Sequence, residues 1–93
     1  MLTKELRREL ENILSEYTTI KISLLYNRRT EKYSVYSYNV SYAFIQEYIT
    51  KDIEALLKHC GITSKVFPWV LDFTSEELEK FYALIKLKGL PQE

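Results

Sequence analysis

Cysteine is almost absent from this chain, since Cys60 is the single one among 93 residues. One thiol cannot form an internal disulfide or a cysteine-based zinc site, so both of those small-domain classes are excluded. His59, the only histidine, is its neighbour. Adjacent residues on a helix do not face each other, so the pair does not make a nucleophile–base dyad. We expect Cys60 to be a buried structural thiol.

An excess of one charge and long apolar runs are also missing. Lysine plus arginine and aspartate plus glutamate number 13 each, which gives a formal net charge of zero. A general nucleic-acid binder is usually basic, so this balance argues against that class. No apolar run approaches the ~20 residues of a membrane-spanning helix, and residues 1–5 contain no signal-peptide core. We expect a cytoplasmic protein with no membrane contact.

Glycine and proline are scarce, at two residues each, which predicts short loops. With 46% hydrophobic and 28% charged residues, the composition is typical of a folded chain and not of a disordered one. Its length suits one domain over residues 1–93. No stretch matches a P-loop, Rossmann, zinc or helix-turn-helix signature. We therefore predict no cofactor, no metal and no catalytic residues.

The central feature is a predicted β-hairpin over residues 18–39. Residues 18–26 and 32–38 alternate apolar and polar, which is typical of half-buried strands. With Arg28 and Arg29 at the centre of the turn, Leu24 opposes Tyr33, Ile22 opposes Val35 and Ile20 opposes Ser37. A slip by one residue would move Lys21 and Ser23 into the core, so burial should select the face.

One face of this hairpin is predicted to be buried, and we call the opposite one the outer face. It is polar apart from one leucine and two tyrosines, and it consists of Lys21, Ser23, Leu25, Lys32, Ser34, Tyr36 and Tyr38. Tyrosine provides large contact area at low entropic cost and is enriched in interfaces. Leu25, Tyr36, Tyr38 and Lys21 are the predicted interaction residues.

The hairpin also has a predicted basic tip, formed by Arg28, Arg29 and Lys32. Residues 18–39 contain four cations and Glu31 as the only anion, a net charge of +3. Such a tip could contact phosphates while nearby tyrosines stack on bases. Nucleic-acid binding is therefore the alternative function, and a small nuclease using arginine and tyrosine a less favoured one.

Three helices are predicted around the hairpin. The first covers residues 2–17, with Thr3 as its cap and a stripe of Leu6, Leu10, Ile13, Leu14 and Tyr17. The second covers residues 41–60, with Asn39 or Ser41 as its cap and, as an alternative, a break near Thr50. Its apolar face is Phe44, Ile45, Tyr48, Ile49, Ile53, Leu56, Leu57 and Cys60, and Gly61 should end it.

The third helix covers residues 74–88 and begins with a capping box of Thr74 and Glu77. This capping role explains the only acidic cluster, Asp72, Glu76, Glu77 and Glu79, better than a metal-dependent nuclease site does. Gly89 and Pro91 end the helix.

Residues 62–73 are ambiguous. Phe67, Trp69, Leu71 and Phe73 alternate as in a strand, although a short helix starting at Thr63 or Ser64 remains an alternative. We favour an extended, buried segment that adds a third strand, with Trp69 in the core.

The sequence thus predicts a small single-domain α+β fold of order α-β-β-α-(β)-α, an antiparallel hairpin covered by helices. Its predicted function is non-enzymatic protein binding through the outer face, with another protein or a second copy (a homodimer) as partner.

Overall fold

The computed structural model describes residues 1–62 and 71–91. The elements are α1 (Lys4–Thr18), β1 (Ser23–Asn27), β2 (Lys32–Tyr36), α2 (Tyr42–Phe44), a π-helical turn (Ile45–Ile49), α3 (Thr50–His59), β3 (Asp72–Thr74) and α4 (Ser75–Lys88). The strands form one antiparallel sheet in the order β1-β2-β3. This confirms the predicted α+β class and element order, including the third strand. That strand covers only Asp72–Thr74. The predictions for residues 63–70, both the extended buried segment with Trp69 and the alternative short helix, lie outside the described residues.

Helix α1 has the predicted cap at Thr3, begins two residues later than predicted, at Lys4, and ends one residue later, at Thr18. The Thr3 hydroxyl accepts the N–H of Leu6 at 3.2 Å and caps the first turn. Thr18 is still helical and buried, and Thr19 then takes a left-handed conformation with φ of 59°. The prediction that residues 18–22 belong to the strand is therefore wrong. Strand pairing starts only at Ser23 because the chain first has to turn back across α1.

The predicted strand register is also wrong, by two residues. Leu24 opposes Val35 and Tyr26 opposes Tyr33, so the turn contains four residues, 28–31. The Asn27 side chain accepts the N–H of Arg29 at 2.9 Å, and Glu31 adopts a left-handed φ of 56°. The turn is two residues longer than the predicted one. Because side chains alternate with period two, a shift of two residues leaves each strand residue on its predicted face. Within the strands the predicted inner and outer faces are consequently retained. The prediction that the second strand continues to residue 38 is wrong, since β2 ends at Tyr36, so Lys21 and Tyr38 of the predicted outer face lie outside the strands.

The helical backbone from Tyr42 to His59 is continuous, with αR conformations at both junctions. Ser41 is the N-cap, since its hydroxyl accepts the N–H of Phe44 at 3.2 Å. The alternative break near Thr50 does not occur. Instead, the hydroxyl and the N–H of Thr50 both reach the carbonyl of Ile45, which makes a π turn.

The end of α3 and the start of α4 both follow their sequence signals. Gly61 has φ of 81°, and the N–H of Ile62 reaches the Leu57 carbonyl at 2.9 Å, as in a Schellman motif. At the start of α4, Thr74 and Glu77 form the reciprocal capping box. The predicted stop at Gly61 and the predicted capping box at Thr74 are both confirmed.

A single hydrophobic core lies between the inner face of the sheet and the helices. Its sheet members are Ile22, Leu24, Tyr33, Val35 and Phe73, and its helix members include Leu10, Leu14, Ile53, Leu56, Leu57, Leu78, Phe81 and Ile85. Burial of these side chains is the main stabilising contribution. None of the helices within residues 1–62 and 71–91 is long and apolar enough to cross a membrane.

Candidate functional site

The outer face is built on the central strand β2. Leu25 stands opposite Ser34 in the β1–β2 pair, and Ser34 stands opposite Asp72 in the β2–β3 pair. These three residues therefore form a row across the sheet. The Ser34 hydroxyl donates to the Asp72 carboxylate at 2.8 Å, which leaves the leucine as the apolar member of the row.

The two tyrosines of the outer face contact each other at the end of β2. Their rings are 4.8 Å apart between centroids and nearly perpendicular, at 84°. This edge-to-face arrangement is a favourable geometry for aromatic pairs. Tyr38 is 81% exposed and Leu25 49% exposed, whereas Tyr36 is half-buried. The structure therefore places Leu25 and Tyr36 on paired strands and Tyr38 against Tyr36, whereas Lys21 is exposed before β1 and forms no ring contact or hydrogen bond with them within the described residues.

The basic tip lies at the other end of the hairpin. Arg28 and Arg29 are exposed in the turn, and Lys32 is exposed where β2 begins. Two acidic residues share this end, because Glu31 and Glu76 line one groove with Met1, Tyr26, Thr30, Thr74 and Ser75. Their carboxylates reduce the positive potential that the three cations produce.

The free edge of β1 is occupied by side chains of α1. The N–H of Leu24 donates to the Glu11 carboxylate at 2.8 Å, and the N–H of Ile22 donates to the Ser15 hydroxyl at 2.8 Å. That hydroxyl also donates to the Ile22 carbonyl at 3.3 Å. An unpaired edge is the usual place for strand addition by another chain. Here the edge N–H groups of Ile22 and Leu24 already have hydrogen-bond acceptors within the chain.

A groove of about 510 Å³ separates the sheet from the π turn. It is lined by Ser34, Val35, Tyr42, Gln46, Thr50, Leu71 and Asp72. Tyr42, Gln46 and Thr50 form its helical wall, because residues four apart lie on the same side of a helix.

Exposed aromatic residues on the second helical segment were missed by sequence reasoning. Phe44 and Tyr48 were assigned to the buried stripe, but they are exposed and stack on each other at 4.7 Å between centroids. Tyr42 is exposed as well. The correction has a geometric cause: Ile45 and Ile49 take the centre of the buried stripe, which leaves Phe44 and Tyr48 at its margin. Their spacing of four residues was the available signal.

The adjacent Cys60 and His59 lie at the C-terminal end of α3. Cys60 is buried at the end of α3, and burial raises the pKa of its thiol. The ring nitrogen Nε2 of His59 lies 3.1 Å from the Gly89 carbonyl. Within residues 1–62 and 71–91, no three His, Cys, Asp or Glu side chains come together as a metal site.

No protein family, no curated protein and no solved structure matches this chain.

Proposed function

We propose that this chain is a small non-enzymatic interaction domain that binds a protein partner through the outer face. One observation carries the proposal: Leu25 is exposed on a sheet whose other face is packed against helices, and the strongly exposed Tyr38 follows directly after the central strand. The solvated side of such a sheet normally carries polar side chains. Large exposed apolar groups on it are typical of interaction sites.

The chemistry of the face suits a protein surface. Tyr36 and Tyr38 limit each other's ring orientations, so little rotational freedom remains to be lost on binding. Each ring offers apolar area and a hydroxyl for hydrogen bonding. Lys32, exposed at the start of β2, adds charge to the same face, as in the polar rim of an interface, and Lys21 is exposed just before β1.

Docking on the face is also favoured over docking on the edge. Glu11 and Ser15 hold the backbone groups that an added strand would need at Ile22 and Leu24. A partner that added a strand there would have to displace two hydrogen-bonded side chains. Contact through side chains of the outer face carries no such cost.

Photo-crosslinking from the outer face tests the proposal. We expect p-benzoylphenylalanine in place of Tyr38 to form a covalent adduct with a specific protein in cells that express this chain. The same group in place of Leu87, which is 80% exposed on α4, is the matched control. Adducts that are identical from both positions, or absent from both, would contradict the proposal.

Nucleic-acid binding through Arg28, Arg29 and Lys32 is the second candidate, supported by the exposure of all three side chains. It ranks lower because Glu31 and Glu76 lie at the same tip. Phosphate binding weakens steeply as salt increases. A low-salt gel shift that is lost in the Arg28→Ala/Arg29→Ala double variant would support it, and an unchanged shift in that variant would reject it.

A further inference from the structure

We infer that Glu11 and Ser15 of α1 block the free edge of β1 and thereby prevent a second copy of this chain from adding its own β1 there. We call these two side chains the blocking residues. This role goes beyond the proposed function, because it concerns the edge of the sheet and does not depend on what binds the outer face.

The blocked backbone groups are the ones that an added strand would use. Val35 of the central strand donates its N–H to the Leu71 carbonyl at 2.8 Å, on the β3 side. Leu24 is the partner of Val35 in the β1–β2 pair. In an antiparallel pair, two opposed residues both bond toward each other or both point away. The backbone of Leu24 therefore points away from β2, to the free edge.

The blocking residues match the spacing of the strand. Four helical residues rise about 6 Å, at ~1.5 Å each, and two strand residues rise about 6.6 Å, at ~3.3 Å each. Because of this match, Glu11 accepts the N–H of Leu24 and Ser15, one helical turn later, accepts the N–H of Ile22, both at 2.8 Å. The Ser15 hydroxyl also donates to the Ile22 carbonyl at 3.3 Å. Helix α1 thus provides hydrogen bonds that a fourth strand would otherwise form.

Residues 20–26 have the composition of a segment that pairs between chains. They consist of isoleucine, leucine, tyrosine and serine with Lys21 as the only charge, and they contain no proline or glycine. High β-propensity with little charge is typical of segments that associate as strands. Identical edge strands pair antiparallel about a two-fold axis, where each edge N–H meets an edge carbonyl. A second copy is therefore the partner that the blocking residues exclude.

The opposite edge of the sheet needs less protection. Strand β3 has only three residues, and a short edge strand offers few groups for pairing. The N–H at its end, that of Thr74, already donates to the Glu77 carboxylate at 2.7 Å. The long edge of β1 is thus the one at which blocking has the largest effect.

Amide hydrogen exchange in the native chain tests the block without any substitution. We expect the N–H groups of Ile22 and Leu24 to exchange at least a hundredfold more slowly than in the unfolded chain, at every protein concentration. Protection that is absent would overturn the inference. Protection that appears only as the concentration rises would also overturn it, because the native edges would then be pairing with each other.

The Glu11→Ala/Ser15→Ala variant removes both acceptors. In dilute solution, we expect the amides of Ile22 and Leu24 to exchange at least tenfold faster than in the native chain. As the concentration rises, these amides should regain protection, and the variant should sediment as larger species at concentrations where the native chain is unchanged. Recovery of protection at these two amides identifies the β1 edge as the site of association.

Two variants serve as controls. Asn12→Ala/Glu16→Ala also removes one carboxylate and one neutral polar group four residues apart on α1, but from exposed side chains, and it should behave like the native chain. Glu11→Gln/Ser15→Thr keeps an oxygen acceptor at each position and should do the same.

A Glu11→Ala/Ser15→Ala chain that associates no more than the native chain overturns the inference, and so does equal association of either control. If circular dichroism shows that the double alanine variant is unfolded, the milder Ser15→Ala variant takes its place. It should then show faster exchange at Ile22 in dilute solution and recovery of protection at high concentration, and failure of either result has the same meaning.

Discussion

At the residue scale, the side chain of Tyr33 both packs in the core and accepts a hydrogen bond from the backbone. It is the bulkiest of the fully buried side chains, and its ring lies 4.9 Å from that of Tyr26. Its hydroxyl accepts the backbone N–H of Leu2 at 2.9 Å. The hydrogen bond ties the start of the chain to the central strand, and it satisfies a donor that has lost its water.

Removing this hydroxyl should destabilise the fold. In Tyr33→Phe the buried N–H of Leu2 has no acceptor, so we expect the free energy of unfolding to fall by about 1–2 kcal/mol. Urea denaturation measures the change. Tyr38→Phe is the matched control, because that hydroxyl belongs to a strongly exposed side chain. Equal effects of the two substitutions would contradict the role assigned to Tyr33.

Glu11 acts on a single backbone amide, the edge N–H of Leu24. In Glu11→Ala this amide loses its partner, and we expect about 1 kcal/mol less stability in urea denaturation. Glu11→Gln keeps an oxygen acceptor and should recover most of the loss. Glu16→Ala removes an exposed glutamate from the same helix and should change stability little. A Gln variant as unstable as the Ala variant would show that the edge bond is not the cause.

The hairpin is the instructive case at the scale of elements. Its faces follow from alternation, which requires only a period of two. Its register depends on the number of residues in the turn, in which Glu31 is in the left-handed region and the Asn27 side chain accepts the N–H of Arg29. No Asn-Gly or Asp-Gly pair marks this turn, so the four-residue loop had no strong local signal.

The turn makes a clear prediction about Glu31. Residues other than glycine are disfavoured at φ of 56°. We expect Glu31→Gly to raise the free energy of unfolding by roughly 0.5–1 kcal/mol, because glycine adopts this conformation without steric cost. Arg28→Gly is the control in the same loop and should lower stability, since Arg28 does not have positive φ. Stabilisation by both glycines would contradict the explanation.

Long-range side-chain contacts connect the helices at the scale of the whole molecule. The Tyr82 hydroxyl on α4 donates a hydrogen bond to the Glu9 carboxylate on α1. At the C-terminal end of α4, Lys88 Nζ lies 3.4 Å from the His59 carbonyl oxygen. These contacts join segments that are far apart in the chain.

The Tyr82–Glu9 contact predicts a loss of stability at alkaline pH. The hydrogen bond to Glu9 raises the pKa of Tyr82 above its usual value near 10, with smaller contributions from desolvation and from the Glu9 charge. A group whose pKa is higher in the folded chain adds stability below its unfolded pKa, and this contribution disappears as pH rises through the folded pKa.

Melting temperatures of the native chain and of Tyr82→Phe should therefore differ at neutral pH and converge as pH rises above 10. The Phe variant serves as the reference because it differs from the native chain only by the Tyr82 hydroxyl. A difference that stays constant across the alkaline range would contradict the assignment.

The sequence alone determined the features that depend on neighbours a few residues away. The caps Thr3 and Thr74, the stop at Gly61 and the two faces of the hairpin are local, since each rests on hydrogen bonds or alternation within one element. Part of the proposed site was accessible in this way, because alternation along each strand places Leu25 and Tyr36 on the outer face.

Only the tertiary structure decided the register, the π turn, the protected β1 edge and the exposure of Phe44 and Tyr48. Each of these depends on how far one element lies from another, and a periodic pattern does not encode that distance. Burial enforces which side of a strand faces the core. A shift of two residues leaves the same side of the strand buried. Contacts between distant segments therefore decide which of the registers allowed by the pattern is formed.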